Sequence, residues 1–256
     1  MTMTTRKQQI HDLLKSIETG DPAPVAVVHP ITYIQHNPET HEGGEGLASL
    51  FKRLSKTNPR VNLVRVFEDG DYVFGHTEYD FASTKIGFEV FRFENDLVVE
   101  HWDNLQPKPA EPNPSGHTMT DGPTEPTNLA KTLENKEIVR SFVDDILVNG
   151  RMERLRGYFD GDSYTQHNPQ IGDGLSGLGA ALEEWAAQGI VMKYDRIHRV
   201  LGEGSFVLVV SEGSLAGSHT SFYDLFRVAD GKIAEHWDTI ETIPPREKWK
   251  NDNGKF

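Results

Sequence analysis

The sequence predicts two α+β domains in tandem, each a set of amphipathic helices packed on a curved antiparallel sheet. Three observations predict it. Tyr33-Ile34-Gln35-His36-Asn37-Pro38 returns as Tyr164-Thr165-Gln166-His167-Asn168-Pro169, and Glu100-His101-Trp102-Asp103 returns as Glu235-His236-Trp237-Asp238. The two motifs keep their order at offsets of 131 positions (Tyr33 to Tyr164) and 135 positions (Trp102 to Trp237). Offsets of that size are whole domains, because solenoid repeats recur every ~20–50 residues. In each copy a helical period precedes the first motif, and β-rich runs with short turns follow it.

The elements follow in order. Ile10, Leu13, Leu14 and Ile17 form an i, i+3, i+4, i+7 stripe that stops at Gly20. In the second copy Ile138, Phe142, Ile146 and Leu147 form a stripe that stops at Gly150, and a second helix is expected over Met152–Tyr158. Asp21-Pro22-Ala23-Pro24 breaks a helix of that length in the first copy. After each Gln-His-Asn-Pro motif a Gly-rich turn leads into a helix, over Leu47–Leu54 and Leu178–Ala187. These turns match neither the P-loop nor the dinucleotide fingerprint, so they read as loop-to-helix junctions. Strands are expected over Val61–Phe67, Asp71–Phe81, Gly87–Phe93 and Leu97–Leu105, then over Ile197–Leu201, Ser205–Ser214, Ser221–Val228 and Lys232–Ile240. The Gly/Asp turns between them mean hairpins.

The predicted organisation is a first domain over 1–106, a linker over 107–127, a second domain over 128–243 and a tail over 244–256. Pro107, Pro109, Pro112, Pro114, Pro123 and Pro126 mark the linker as extended. Linker and tail hold the same place after the two His-Trp-Asp motifs, so each is expected to start along its own domain.

With 256 residues, each half is long enough to bury a core. The chain has no Cys, which excludes disulfides, thiol nucleophiles and Cys-based zinc sites. A formal charge of −13 argues against nucleic acid and anionic membrane surfaces as partners. The N-terminal stretch Met1–Lys7 is polar and the aliphatic runs are short, so no secretory signal or membrane span is read, and a cytoplasmic protein is expected.

Candidate site residues come from the repeats and from acids inside apolar strands. Glu89 and Asp224 each stand thirteen positions before the motif Trp, within Phe88-Glu89-Val90-Phe91 and Tyr223-Asp224-Leu225-Phe226. An acid on the face of Phe91 or Phe226 is buried or lines a cavity, where its proton affinity rises toward a useful base range. These two are the first choice for catalysis. His101 and Asp103, with His236 and Asp238, share a strand face and could form an oriented base; a polar rim pair is the competing reading. Trp102 and Trp237 face the other way and read as packing. If the first motif is extended, Tyr33, Gln35 and Asn37 lie on one side and His36 on the other. Tyr164 and His167 follow in the second copy, and the two motif histidines serve either to brace a turn or to line a pocket. His76 shares a face with Phe74 and Glu78, while the second copy holds Val210 and Glu212 there, with His219 as a substitute. A proton-transfer pair of His76 with Glu89 would exist only in the first half.

Helices, Tyr-x-Gln-His-Asn-Pro, Gly-turn, helix, sheet, then Asp224-Leu225-Phe226-Arg227 and Glu235-His236-Trp237-Asp238 resemble the SnoaL-like branch of the nuclear-transport-factor-2-like superfamily. The resemblance covers both halves. It implies two cone-shaped α+β barrel domains, each with its ligand entering the open end. It also implies an internal pseudo-dimer through the sheets, homo-oligomers, and a small apolar or carbonyl ligand. Members often carry a His where His76 stands. The absence of zinc spacings, a nucleophile elbow and a dinucleotide fingerprint leaves cofactor-independent chemistry, with no metal. The expected function is proton transfer on a small carbonyl compound, of aldol, isomerase or dehydratase type. Glu89 or Asp224 would be the base, and His76 with His36 would hold the enolate oxygen. The alternatives are a small-molecule binding protein without chemistry, or one degenerate half kept for a structural pseudo-dimer.

Overall fold

The computed structural model describes residues 4–256; Met1–Met3, the start of the polar N-terminal stretch, lie outside the described residues. The chain divides into two compact units, Met1–Lys108 with Ile243–Phe256, and Pro109–Thr242. Both are α+β, with helices packed on a curved sheet.

In the first unit helix α1 spans Arg6–Thr19. The Thr5 side chain caps it by accepting from Gln8 N at 3.2 Å, and Gly20 ends it at φ 73°, a backbone state glycine adopts without strain. Strand β1 is the two-residue Ile34–Gln35, and helix α2 spans Gly43–Leu54. Strands β2 (Arg60–Asp69), β3 (Tyr72–Asp80), β4 (Thr84–Glu94) and β5 (Leu97–Pro107) complete a sheet in the order β1-β5-β4-β3-β2. The last four pair antiparallel, with register shifts between Leu63 and Arg65 and between Arg92 and Phe93 that bend the sheet. Ile10, Leu13, Leu14 and Ile17 pack into its concave face against Val61, Val73, Tyr79, Phe91 and Phe93. Each such side chain contributes roughly 1.5–3 kcal/mol by leaving water.

The second unit repeats the plan. Helix α3 (Thr132–Phe142) continues as a wider π-helical turn over Val143–Val148 before Gly150. Strand β6 is Thr165–Gln166, helix α4 is Gly174–Ala187, and strands β7 (Met192–Glu203), β8 (Phe206–Leu215), β9 (Ser218–Ala229) and β10 (Lys232–Thr242) give the order β6-β10-β9-β8-β7. Val139, Phe142, Val143 and Ile146 pack against Tyr194, Val207, Val209, Phe222 and Phe226.

Four expectations are corrected. The helix expected over Met152–Tyr158 is a 3-10 turn over Met152–Gly157. Strand β7 begins five residues before the expected Ile197, since its half-exposed start carries little apolar alternation. The Gln-His-Asn-Pro motif is not wholly a loop, because its first residues pair parallel to the His-Trp-Asp strand, Gln35 with His101 and Gln166 with His236.

The linker starts along its own domain, with Pro107 opposite Lys85 and Lys108 N on the Thr84 carbonyl, and from Pro109 on it belongs to the second unit. The tail does not start along its own domain, since Ile243–Phe256 belongs to the first unit. The physical reason is a repeated asparagine. Asn251 Nδ2 donates to the carbonyls of Asn37 and Thr40 at 2.7 and 2.9 Å. Asn113 Nδ2 donates to those of Gln166 and Ile171 at 2.6 and 3.0 Å. Each ties two carbonyls at the turn after its motif to one side-chain amide, which holds the tail or linker against that turn.

Candidate functional site

Register decides which side chains meet. Glu89 stands opposite Gly75 on β3 and Asp103 on β5, while His101 stands opposite Phe91. Residues opposite one another share a face, so Glu89, Phe91, His101 and Asp103 all point into the concave side of the first unit. There they line a cavity of about 160 Å³ together with Tyr33, Gln35, Asn37 and Tyr79, beneath apolar walls from α1 and α2.

Within it, Glu89 is 4 % exposed. Its Oε2 lies 2.7 Å from His101 Nε2, and its Oε1 accepts from Tyr79 OH at 2.7 Å. The histidine is oriented from behind. Gln35 Oε1 accepts the backbone N–H of Asn37 at 2.9 Å, which identifies that atom as oxygen, so His101 Nδ1 at 3.1 Å must donate to it. Nε2 therefore faces the carboxylate, and the Glu89–His101 contact holds a single proton between an acid and an imidazole. Asn37 Nδ2 donates to Asp103 Oδ2 at 2.6 Å, and Lys255 Nζ lies 3.6 Å from Asp103 Oδ1. Gln35 Nε2 donates to Tyr33 OH at 3.1 Å, which leaves the Tyr33 proton to donate elsewhere. Burial pushes the Tyr33 and Tyr79 phenols well above their usual range, reinforced by nearby carboxylates, so both remain neutral donors.

The second unit builds the same cluster more loosely. Asp224 pairs opposite Asp238, and Phe226 opposite His236. His236 Nε2 lies 3.0 Å from Asp224 Oδ1, and its Nδ1 lies 2.9 Å from Gln166 Oε1. That oxygen accepts the N–H groups of His167 and Asn168 at 2.9 Å each. Tyr194 OH spans both Asp224 oxygens at 3.2 and 3.3 Å. Tyr164 OH receives Gln166 Nε2 at 3.2 Å, and Asn168 Nδ2 reaches Asp238 Oδ2 at 2.7 Å. The longer contacts follow from aspartate being one methylene shorter than glutamate.

Several predicted site residues lie on the opposite face and are corrected here. His76 stands opposite Phe88, not Glu89; it stacks on Phe88 at 4.5 Å and receives Arg65 Nη1 at 2.9 Å. It forms no pair with Glu89. Phe74 packs on Phe67 behind the sheet, at 5.2 Å. Glu212 stands opposite Ser221, on the face away from Asp224, bound to Arg196, His198 and His219. Burial alone would raise its carboxyl, but hydrogen bonds from these three hold it down at about 2.

His36 and Trp102 stack at 4.7 Å, as do His167 and Trp237, again away from the cavity. His36 bridges Glu100 at 2.9 Å and the Gly254 carbonyl at 2.9 Å, and His167 bridges Glu235 and the Thr118 carbonyl at 2.8 Å each. Against the cost of burial, the bonds from His36 and Arg92 keep Glu100 below its usual range, and those from His167 and Arg227 do the same for Glu235. The motif thus has two sides. Gln35 and Asn37 organise the cavity, and His36 anchors the tail.

Sequence reasoning missed Tyr79, Tyr194 and Lys255. Tyr79 comes from β3 and Tyr194 from β7, so no offset between the copies relates them. Gly213, nine residues after Gly204 as Tyr79 is after Gly70, could not carry a side chain, because a Cβ there would lie 1.9 Å from the Lys193 carbonyl. The phenol comes from the neighbouring strand instead.

Three groups among the described residues could bring ligand atoms together for a metal ion: Glu89, His101 and Asp103; Asp224, His236 and Asp238; and His117, Asp121 and His167. In the first, donor and acceptor are 2.7 Å apart, a hydrogen bond, whereas two ligands on a tetrahedral zinc sit roughly 3.3 Å apart. In the third, both His167 nitrogens are already engaged. The geometry of the first cluster is that of a shared proton.

Residues 139–236 match the SnoaL-like domain family, so the second unit carries a SnoaL-like domain. Comparison with curated proteins finds no match. Among solved structures, TsrD from Streptomyces laurentii is similar at 22 % identity, covering 41 % of this chain and 92 % of its own, with a TM-score of 0.36. IdmH from Streptomyces antibioticus is similar at 15 % identity, 38 % and 89 % coverage, and a TM-score of 0.35. An NTF2-like protein from Cytophaga hutchinsonii is similar at 14 % identity, 41 % and 95 % coverage, and a TM-score of 0.36. No helix among the described residues is long and apolar enough to cross a membrane.

Proposed function

We propose that the first unit is a cofactor-independent proton-transfer site acting on a small carbonyl compound held in the cavity beside Glu89. One observation carries the reading: the 2.7 Å contact between Glu89 Oε2 and His101 Nε2, made inside an apolar cavity with the histidine tautomer set by Gln35. Glu89 lines the cavity, so its carboxylate is placed as a general base beside a ligand held there. Glu89 removes the proton next to the carbonyl. Tyr33, a neutral donor on the cavity wall, gives a hydrogen bond to the enolate oxygen that forms. Glu89 then returns the proton to a different carbon in an isomerisation, to the alkoxide formed when the enolate adds to a second carbonyl in an aldol reaction, or to a β-hydroxyl that leaves as water when the enolate expels it in a dehydration. This replaces the expected donors His76 and His36, which lie on the other face. The SnoaL-like match falls on the second unit, and the first unit is related to it by the repeated motifs and the same acid–histidine cluster.

A second reading applies to the second unit. Its Asp224–His236 contact is longer, at 3.0 Å, and Phe142 meets Phe159 and Phe226 edge-on at 5.4 and 5.6 Å within its core. That packing favours a structural role for this half.

The test is exchange of acidic C–H for C–D in D₂O, followed by NMR over a panel of ketones and β-dicarbonyl compounds. Wild-type protein is expected to catalyse exchange of at least one member. Glu89→Gln is expected to slow it by about a hundredfold or more with unchanged circular dichroism, and His76→Gln is expected to leave it unchanged. Full exchange in a folded Glu89→Gln variant sinks the reading.

A further inference from the structure

We propose that the cavity of the first unit takes an anionic small molecule, an apolar body bearing a carboxylate, whose acid group is held at the entrance by Arg53, Lys85 and Lys250. This rests on the cavity as the binding site and adds the charge of its ligand.

The chain carries a net charge of −13, so cations gathered at one place run against its composition. Arg53 of α2 and Lys85 of β4 both line the cavity, beyond the buried cluster of Glu89, His101 and Asp103. A smaller adjoining hollow of about 80 Å³ shares Glu39, Leu50 and Arg53 with it and adds Lys250. Among the described residues none of the three cations is in an ion pair, although elsewhere in this unit Arg6, Lys15, Arg92 and Lys108 all are. Of the three acids that line the two hollows, Glu89 and Asp103 are buried in the cluster and Glu39 alone is exposed, against three cations. Below the rim, Leu50, Phe51 and Leu54 of α2 offer an apolar wall for the body of the ligand. Low-dielectric walls under a charged mouth focus the field there and draw in the opposite charge. A guanidinium in particular matches a carboxylate through two parallel hydrogen bonds.

Comparing the copies separates this from ordinary surface charge. Gly46 and Gly177 hold one place, since a Cβ on either would lie 2.0 or 2.3 Å from the carbonyl five residues earlier. Seven residues on from each, Arg53 has Glu184 as its counterpart. Four residues before the equivalent acids Glu89 and Asp224, Lys85 has Thr220 as its counterpart. Immediately before the equivalent Asn251 and Asn113, Lys250 has Pro112 as its counterpart. The buried acid–histidine cluster is kept in both copies, and all three rim cations belong to one.

The test compares octanoate, octan-1-ol and octylamine by calorimetry, using the full chain at low and high salt. Octanoate is expected to bind about tenfold tighter than octanol at low salt, with octylamine weakest, and the preference is expected to shrink at high salt. Combined Arg53→Gln, Lys85→Gln and Lys250→Gln is expected to bring octanoate down to the affinity of octanol while octanol is unchanged. Equal binding of acid and alcohol, a preference that survives the triple variant, or no binding of any of the three overturns the proposal. Glu89→Gln is expected to keep the preference for octanoate. Loss of proton transfer with the preference intact therefore removes only the catalytic reading, and proton transfer without the preference removes only this one.

Discussion

Lys255 Nζ lies 3.6 Å from Asp103 Oδ1, with the two side chains 2 % and 8 % exposed. A lysine from the last residues of the chain thus stands behind the acid–histidine cluster that β4 and β5 present to the cavity. The second unit has no such cation. His36 Nδ1 meets the carbonyl of Gly254 and His167 Nδ1 that of Thr118, so the residues that follow, Lys255 and Met119, hold equivalent places. Both are buried. Asp103 Oδ1 and Asp238 Oδ1 are both buried without a hydrogen-bond partner, but only Asp103 has a cation beside it, and burial pushes the Asp238 carboxyl up to about 6.

Lys255→Met leaves the buried Asp103 without its cation. The expected loss is about 3 kcal/mol in urea unfolding at neutral pH, the usual scale for breaking a buried pair from one side. Asp103→Asn in the same chain is expected to recover most of it, because no buried charge then remains. An unchanged single variant would show that the pair contributes nothing.

For Asp238 the sign is set by its raised proton affinity. Its folded value of about 6 exceeds the ordinary 3.8, so the folded state binds the proton more tightly. The stabilisation is fully present below the ordinary value and is lost as pH rises through about 6. The change is on the order of 3 kcal/mol. Unfolding free energies at intervals between acid and neutral pH should show wild type declining relative to Asp238→Asn across that window. Met119→Lys, which supplies the missing cation, should flatten the decline; identical curves for all three chains would refute this account of Asp238.

Tyr33→Phe removes the neutral donor assigned to the enolate oxygen while keeping the ring that packs beside Gln35. Carbon-acid exchange is expected to fall about a hundredfold, with binding of the carbonyl compound much less affected. A variant that exchanges at the wild-type rate would reassign the oxyanion donor.

Gly46→Ala tests the turn that carries α2 to the cavity. An added Cβ would lie 2.0 Å from the His41 carbonyl, so the backbone must shift. The expected cost is about 1–3 kcal/mol by thermal or urea unfolding, against little effect at Gly179, where a Cβ meets nothing within 4 Å.

Much of the fold was legible because its signals are local. The stripe Ile10, Leu13, Leu14, Ile17 needs only a 3.6-residue period, and the hairpins need only alternation and short turns. Glu89 and Asp224 stood out as acids among apolar strand residues, and the structure places both in buried clusters. His76 was assigned to the wrong partner for a different reason. Two strands that each alternate correctly can still be paired one residue apart, and that shift moves every side chain to the other face. The register of Gly75 with Glu89 decides it.

By itself, the sequence determined the duplication, the α+β class and the residue types available for chemistry, because repetition and periodicity are properties of a single chain read in order. The tertiary structure alone decided which faces meet. It put Gln35 and Asn37 on the cavity side and His36 on the other, drew Tyr79 and Tyr194 from different strands, and brought Lys255 to Asp103 across 152 positions of sequence. Such meetings depend on strand register and on where a chain end packs. Those are settled by the summed burial and hydrogen bonding of a whole unit, which no short stretch of sequence contains.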